Sequence, residues 1–135
     1  MTTYHTTRGF FAEQFLLGLH APVNNHTVYG ILAWLEGENT KAKNNGLATT
    51  RTGYGGTDFN SAGVKNYPTF SLGMQATLAT INLAPYKKLR DAIHVGTSAH
   101  DIAREIVASP WGTQNVPLSA VLANPVKYAA ISLPS

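Results

Sequence analysis

Two glutamates stand close together in the segment ILAWLEGEN, Glu36 and Glu38, and a lone acidic residue, Asp58, sits in the later segment TDFN. Paired carboxylates are the usual equipment of enzymes that cleave glycosidic bonds, one as general acid and one as base or nucleophile. Helical phase separates the first two. Successive helical residues turn by about 100°, so with Val28 at zero the apolar Val28, Ile31, Leu32, Trp34 and Leu35 fall on an arc centred near 320°. Glu38 falls at roughly 280°, inside that arc, and Glu36 at roughly 80°, near its polar edge. Glu38 also follows Trp34 by four residues, which makes the two side chains neighbours on a helix surface. A carboxyl held against an aromatic ring loses hydration, its ionised form suffers, and its pKa rises. That is what an acid needs if it is to hold a proton near neutral pH and give it to a leaving sugar oxygen. The same pattern also fits a glutamate that frays into solvent at a helix end. Glu36 reads as a solvated residue and Asp58 as either a second carboxylate or a turn residue.

Other chemistries find less support. The chain has no cysteine, which excludes disulfides and thiolate metal sites. Its five histidines (His5, His20, His26, His94 and His100) are scattered without zincin spacing, and no Gly-x-Ser-x-Gly elbow is present. Charged residues make up only 13% of the chain, about half the usual share. Asn, Thr, Ser and Gly carry the polar surface instead, which suits neutral, hydroxyl-rich ligands. The net charge is +3, and its densest basic cluster, Lys87, Lys88 and Arg90, reads as a solvated helix face or a weak attraction toward polyanions such as wall polymers. Basic residues interleaved with aromatics are lacking, so no nucleic-acid partner is expected. The N-terminal MTTYHTTRGFFAEQF lacks the apolar core and small-residue cleavage site of a signal peptide, and no stretch approaches the roughly 18 apolar residues of a membrane span.

The elements that must position these groups follow from periodicity. At 135 residues the chain has the size of one domain, and it shows no repeat or linker. A first helix is expected over 7–20, ended by Ala21-Pro22, and a second from a cap at Asn24 or Asn25 to about Asn39. The stretch 40–68 is rich in Gly, Asn and Thr and predicts short strands near 47–51, 57–60 and 63–67 in an irregular hairpin. Helices resume over 69–82, 85–94 and 98–108, the last capped by Ser98 with Asp101, with Ile102, Ile106 and Val107 inward. The proline-broken tail predicts one short helix plus extended chain. The order is α+β, mainly helical with a small β region.

At Trp34 and Glu38 the sequence resembles a known group. Asn44-Asn45-Gly46-Leu47, Thr49-Thr50, Asn60-Ser61-Ala62-Gly63-Val64, Tyr67 and Ser109-Pro110-Trp111-Gly112-Thr113 follow in order. This ordered set, over about residues 8–115, is similar to the lysozyme-like (muramidase or lytic transglycosylase-like) domains of endolysins and tail-associated proteins of phages that infect actinobacteria. Two departures stand out. Gly46 occupies a position where that pattern has proline, and the glutamate sits in Gly-Glu-Asn where Ala-Glu-Gly is more usual.

The resemblance implies a lysozyme-like fold and cleavage of peptidoglycan glycan strands by one principal acid, Glu38, without a metal or cofactor. It implies work in the virion or at the host wall after release, as a monomer or a module of a larger phage protein. Asn45, Thr49, Thr50, Asn60 and Ser61 become candidates for positioning water or sugar hydroxyl and acetamido groups. Each of them is equally a backbone-capping residue of an irregular hairpin. Tyr67 and Trp111 become candidates for stacking on sugar faces, or else core residues. A non-catalytic peptidoglycan-binding or structural domain of the particle is the alternative.

Overall fold

A computed structural model of the chain describes residues 6–135, so His5 and the rest of the first five residues lie outside the described part. It is mainly helical, with seven α-helices among the described residues and one two-stranded antiparallel sheet. The helices are α1 (Arg8–Gly18), α2 (Asn25–Glu38), α3 (Phe70–Ile81), α4 (Lys87–Val95), α5 (Ala99–Ala108), α6 (Leu118–Ala123) and α7 (Pro125–Ala129), with a 3₁₀ turn over Ala84–Tyr86 before α4.

Short polar side chains set the helix starts by accepting otherwise orphaned backbone N–H groups. Thr7, Asn24, Thr69 and Ser98 accept from the N–H of Phe10, Thr27, Leu72 and Asp101 respectively. At α2 the cap is reciprocal, since the Thr27 hydroxyl accepts from the Asn24 backbone in return. Asn39 ends α2 in the left-handed conformation (φ 40°), which asparagine tolerates better than most residues.

Helix α2 is the axis of the core. Ile31, Leu32, Ala33, Trp34 and Leu35 are almost entirely buried, and α1, α5, α6 and α7 all pack on α2. The Phe15 ring meets Trp34 edge-on, and Trp34 meets Trp111 in the same way. Gly30 lets α5 close in, because a Cβ there would come 2.9 Å from the Ile102 side chain.

Three expectations need correction. Residues 47–51 form no strand: the sheet is only β1 (Thr57–Asp58) paired with β2 (Lys65–Asn66), Thr57 opposite Asn66 and Asp58 opposite Lys65. Side chains hold the rest of that region, as described below. The tail forms two short helices, because Pro125 has no N–H to continue α6 and starts α7 under the Asn124 side chain. Beyond α7 the chain returns to the start of α1, where Thr7 bridges Ser132 and the Leu133 N–H donates to the Thr6 carbonyl. Val107, expected inward, is 49% exposed. The α5 stripe is the narrower set Ala99, Ile102 and Ile106.

Candidate functional site

Glu38 is the last residue of α2 and is half-buried. Its Oε1 accepts a hydrogen bond from the Thr113 hydroxyl. The Thr113 Oγ1 in turn accepts from the indole N–H of Trp34 at 3.0 Å. Trp34 is fully buried and Thr113 nearly so. Helix α5 ends at Ala108, and Gly112 (φ 91°) turns the chain so that Thr113 lies against α2. Gly37 makes the approach possible, since a Cβ there would fall 2.0 Å from the Asn115 carbonyl oxygen. Burial pushes the Glu38 carboxyl above the ordinary glutamate value, and the Thr113 hydrogen bond partly opposes it by favouring the ionised form. Lys41 and Lys43 are both exposed.

Glu36 is not the solvated residue that helical phase suggested. It pairs with Arg8, whose second guanidinium nitrogen donates to the Asn39 Oδ1 at 3.0 Å. The Arg8 side chain is 5% exposed and that of Glu36 28%, so a buried cation at the start of α1 grips α2 on both sides of Glu38. The Arg8 Nε has no partner among the described residues. Phase placed Glu36 correctly on the edge of the arc but could not show which helix would cover that edge.

Among the hairpin candidates, Asn45, Thr49 and Tyr67 are buried and have their polar groups engaged within the protein. Asn45 is buried; its side-chain amide donates to the carbonyls of Thr49 and Lys65 and its Oδ1 accepts from the Thr49 N–H. It does for residues 45–49 what a strand ladder would otherwise do. The Tyr67 hydroxyl donates to the Arg51 carbonyl, and burial pushes its pKa up to about 12 against the opposing pull of Arg51. Thr49 is buried, its hydroxyl 3.0 Å from that of Thr80. Asn60 caps the hairpin tip, accepting from the N–H groups of Ala62 and Val64, and both Asn60 and Ser61 are exposed. Asp58 is exposed and paired with Lys65, so it does not share the environment of Glu38.

Trp111 and Thr50 remain as surface candidates. The Trp111 indole donates to the Leu47 carbonyl, and its ring lies between Trp34 and Tyr86. Ala48, Thr49, Thr50, Thr80, Tyr86 and Trp111 border a depression of about 110 Å³. Larger depressions lie elsewhere, one of about 220 Å³ beside Lys88 and Glu105 and one of about 400 Å³ beside Lys43 and Asn66. Glu38 borders none of these three.

No cluster of three or more His, Asp or Glu side chains that could hold a metal occurs among the described residues, and no helix among them is long and apolar enough to cross a membrane. Thr113, Arg8 and Asn39 were not singled out as site residues from the sequence. The only signal for Thr113 was its place in Trp111-Gly112-Thr113, where the glycine announces a turn. Comparison of the chain with protein-family models, with curated proteins and with solved structures gives no match.

Proposed function

We propose that this protein cleaves the glycan strand of peptidoglycan, as a muramidase or lytic transglycosylase, with Glu38 as general acid in a lysozyme-like fold. The observation that carries the reading is Glu38 itself: a half-buried carboxyl at the end of a core helix, raised in pKa by desolvation, with only one of its oxygens engaged by Thr113. A carboxyl of this kind keeps a proton to give to the glycosidic oxygen as the bond breaks. Once ionised, it can take a proton from an attacking water or from one of the sugar's own hydroxyls. The two routes give a free reducing end or an anhydro sugar. The ordered motifs from Trp34 to Thr113 support the same reading, as does the low-charge surface.

Asp58 and Glu36 are both engaged in ion pairs, which favours a mechanism with one principal carboxylate. The alternative of a non-catalytic wall-binding or structural domain in a phage particle draws on one observation, that Glu38 borders none of the three depressions named above. A turbidity assay on actinobacterial walls separates the two. Wild-type protein should clear the suspension and Glu38→Gln should not, while a folded wild-type chain that binds walls without clearing them supports the alternative. Mass spectrometry of the released fragments then assigns hydrolysis or the anhydro-forming route.

A further inference from the structure

We propose that Thr113 is a positioning residue that fixes the proton of Glu38 on Oε2, acting as the middle of a one-way hydrogen-bond relay from Trp34. The catalytic use of that proton rests on the function proposed above; the relay itself does not.

The direction follows from donor chemistry. An indole N–H can only donate, and a hydroxyl has one hydrogen and two lone pairs. With Trp34 donating to Thr113 Oγ1, the hydroxyl hydrogen needs an acceptor, and Glu38 Oε1 is the one it faces. If the acid proton sat on Oε1 instead, Oε1 would have to donate to Thr113, and the threonine hydrogen would be stranded at a site only 5% exposed. Buried donors are rarely left that way, because a lost partner costs about 1–3 kcal/mol. The protonated acid therefore carries its hydrogen on Oε2, the oxygen the relay leaves free.

Packing holds the relay in place. Trp34 is wedged between the Phe15 and Trp111 rings, and the Asn115 carbonyl and the Thr113 methyl lie directly on Gly37. The Gly-Glu-Asn departure noted in the sequence thus has a physical role: the residue before Glu38 carries no side chain because the relay segment occupies that space. The hydroxyl also stabilises the carboxylate, which opposes the rise that burial causes.

The test uses ¹⁵N and ¹³C NMR on the full chain. In wild-type protein the Trp34 indole N–H resonance should titrate with the same midpoint as the Glu38 carboxyl carbon, because ionisation of Glu38 strengthens the hydroxyl's donation and polarises the indole bond behind it. The Trp111 indole, bonded to the Leu47 carbonyl, should move much less. A Trp34 resonance that stays flat through the Glu38 midpoint overturns the relay, and this readout needs no variant. Thr113→Val should raise the Glu38 pKa, move the alkaline limb of activity to higher pH and lower kcat roughly 10–100-fold with KM little changed. Thr113→Ser should restore the wild-type titration and pH profile. A valine variant that titrates like wild type, or a serine variant no better than valine, contradicts the proposal. Should Glu38→Gln clear walls as well as wild type, the catalytic reading falls, while the indole titration still decides the relay.

Discussion

The C-terminal end of α2 and the β1–β2 hairpin both carry carboxylates that sequence could assign to catalysis, yet they are built in opposite ways. At the end of α2, Glu38 leans on the core, meets a buried hydroxyl and has lost much of its water. In the hairpin, Asp58 stands in solvent with a lysine beside it. Hydration stabilises a carboxylate, so its loss at the end of α2 favours the protonated form of Glu38. The difference lies in what backs each residue. The α2 end rests against Trp34 and the returning Gly112–Asn115 chain, whereas Asn45 and Tyr67 hold backbone carbonyls in the hairpin region and Asp58, Asn60 and Ser61 stand exposed.

The sharpest way to break this comparison is to neutralise each carboxylate in turn. Glu38→Gln should lower wall-lytic activity by about 10²–10⁴-fold, the usual contribution of general acid catalysis. Asp58→Asn should leave activity within about twofold of wild type, because an exposed ion pair contributes little. Comparable losses in the two variants, measured by turbidity with circular dichroism confirming the fold, would put a second carboxylate back into the mechanism.

The supports of the two regions differ in the same sense. Asn45→Ala removes three hydrogen bonds and takes a partner from the Thr49 N–H and from the carbonyls of Thr49 and Lys65, the Thr49 carbonyl keeping its bond from the Lys65 N–H. It should cost about 2–4 kcal/mol of stability in denaturant unfolding. Glu36→Gln keeps a hydrogen-bond acceptor for Arg8 but leaves its buried charge uncompensated, which should cost about 1–3 kcal/mol. Activity per folded molecule should survive that change, since Arg8 and Glu36 do not touch the Glu38 carboxyl. A Glu36→Gln protein as stable as wild type would mean that the Arg8 clamp contributes nothing to holding the helix end.

Periodicity and capping chemistry made the helical frame legible. Asn24, one of the two expected caps, starts α2, and the arc of Val28, Ile31, Leu32, Trp34 and Leu35 placed Glu38 toward the core and Glu36 at its margin. Long-range partners were not legible. Arg8 lies 28 residues from Glu36, and Thr113 lies 75 from Glu38; neither spacing leaves a periodic trace. In the hairpin, side-chain-to-backbone bonds replace ladder hydrogen bonds, so a strand over 47–51 was expected where Asn45 does the work. Amides and phenols serve equally well at binding a ligand and at turning a backbone, and Asn45 and Tyr67 both engage backbone carbonyls here.

The central claim is that Glu38 is a desolvated acid, and carbon-detected NMR titration of its carboxyl tests it most directly. A folded-state pKa above the ordinary value of 4.5 is predicted. The sign carries through to stability: the stabilisation that goes with the bound proton is complete below that ordinary value and is lost as pH rises through the folded-state pKa. Activity should fall over the same upper range, as the acid gives up its proton. A Glu38 carboxyl that titrates at or below 4.5 would contradict the account, leaving a well-packed helix end with no acid to use.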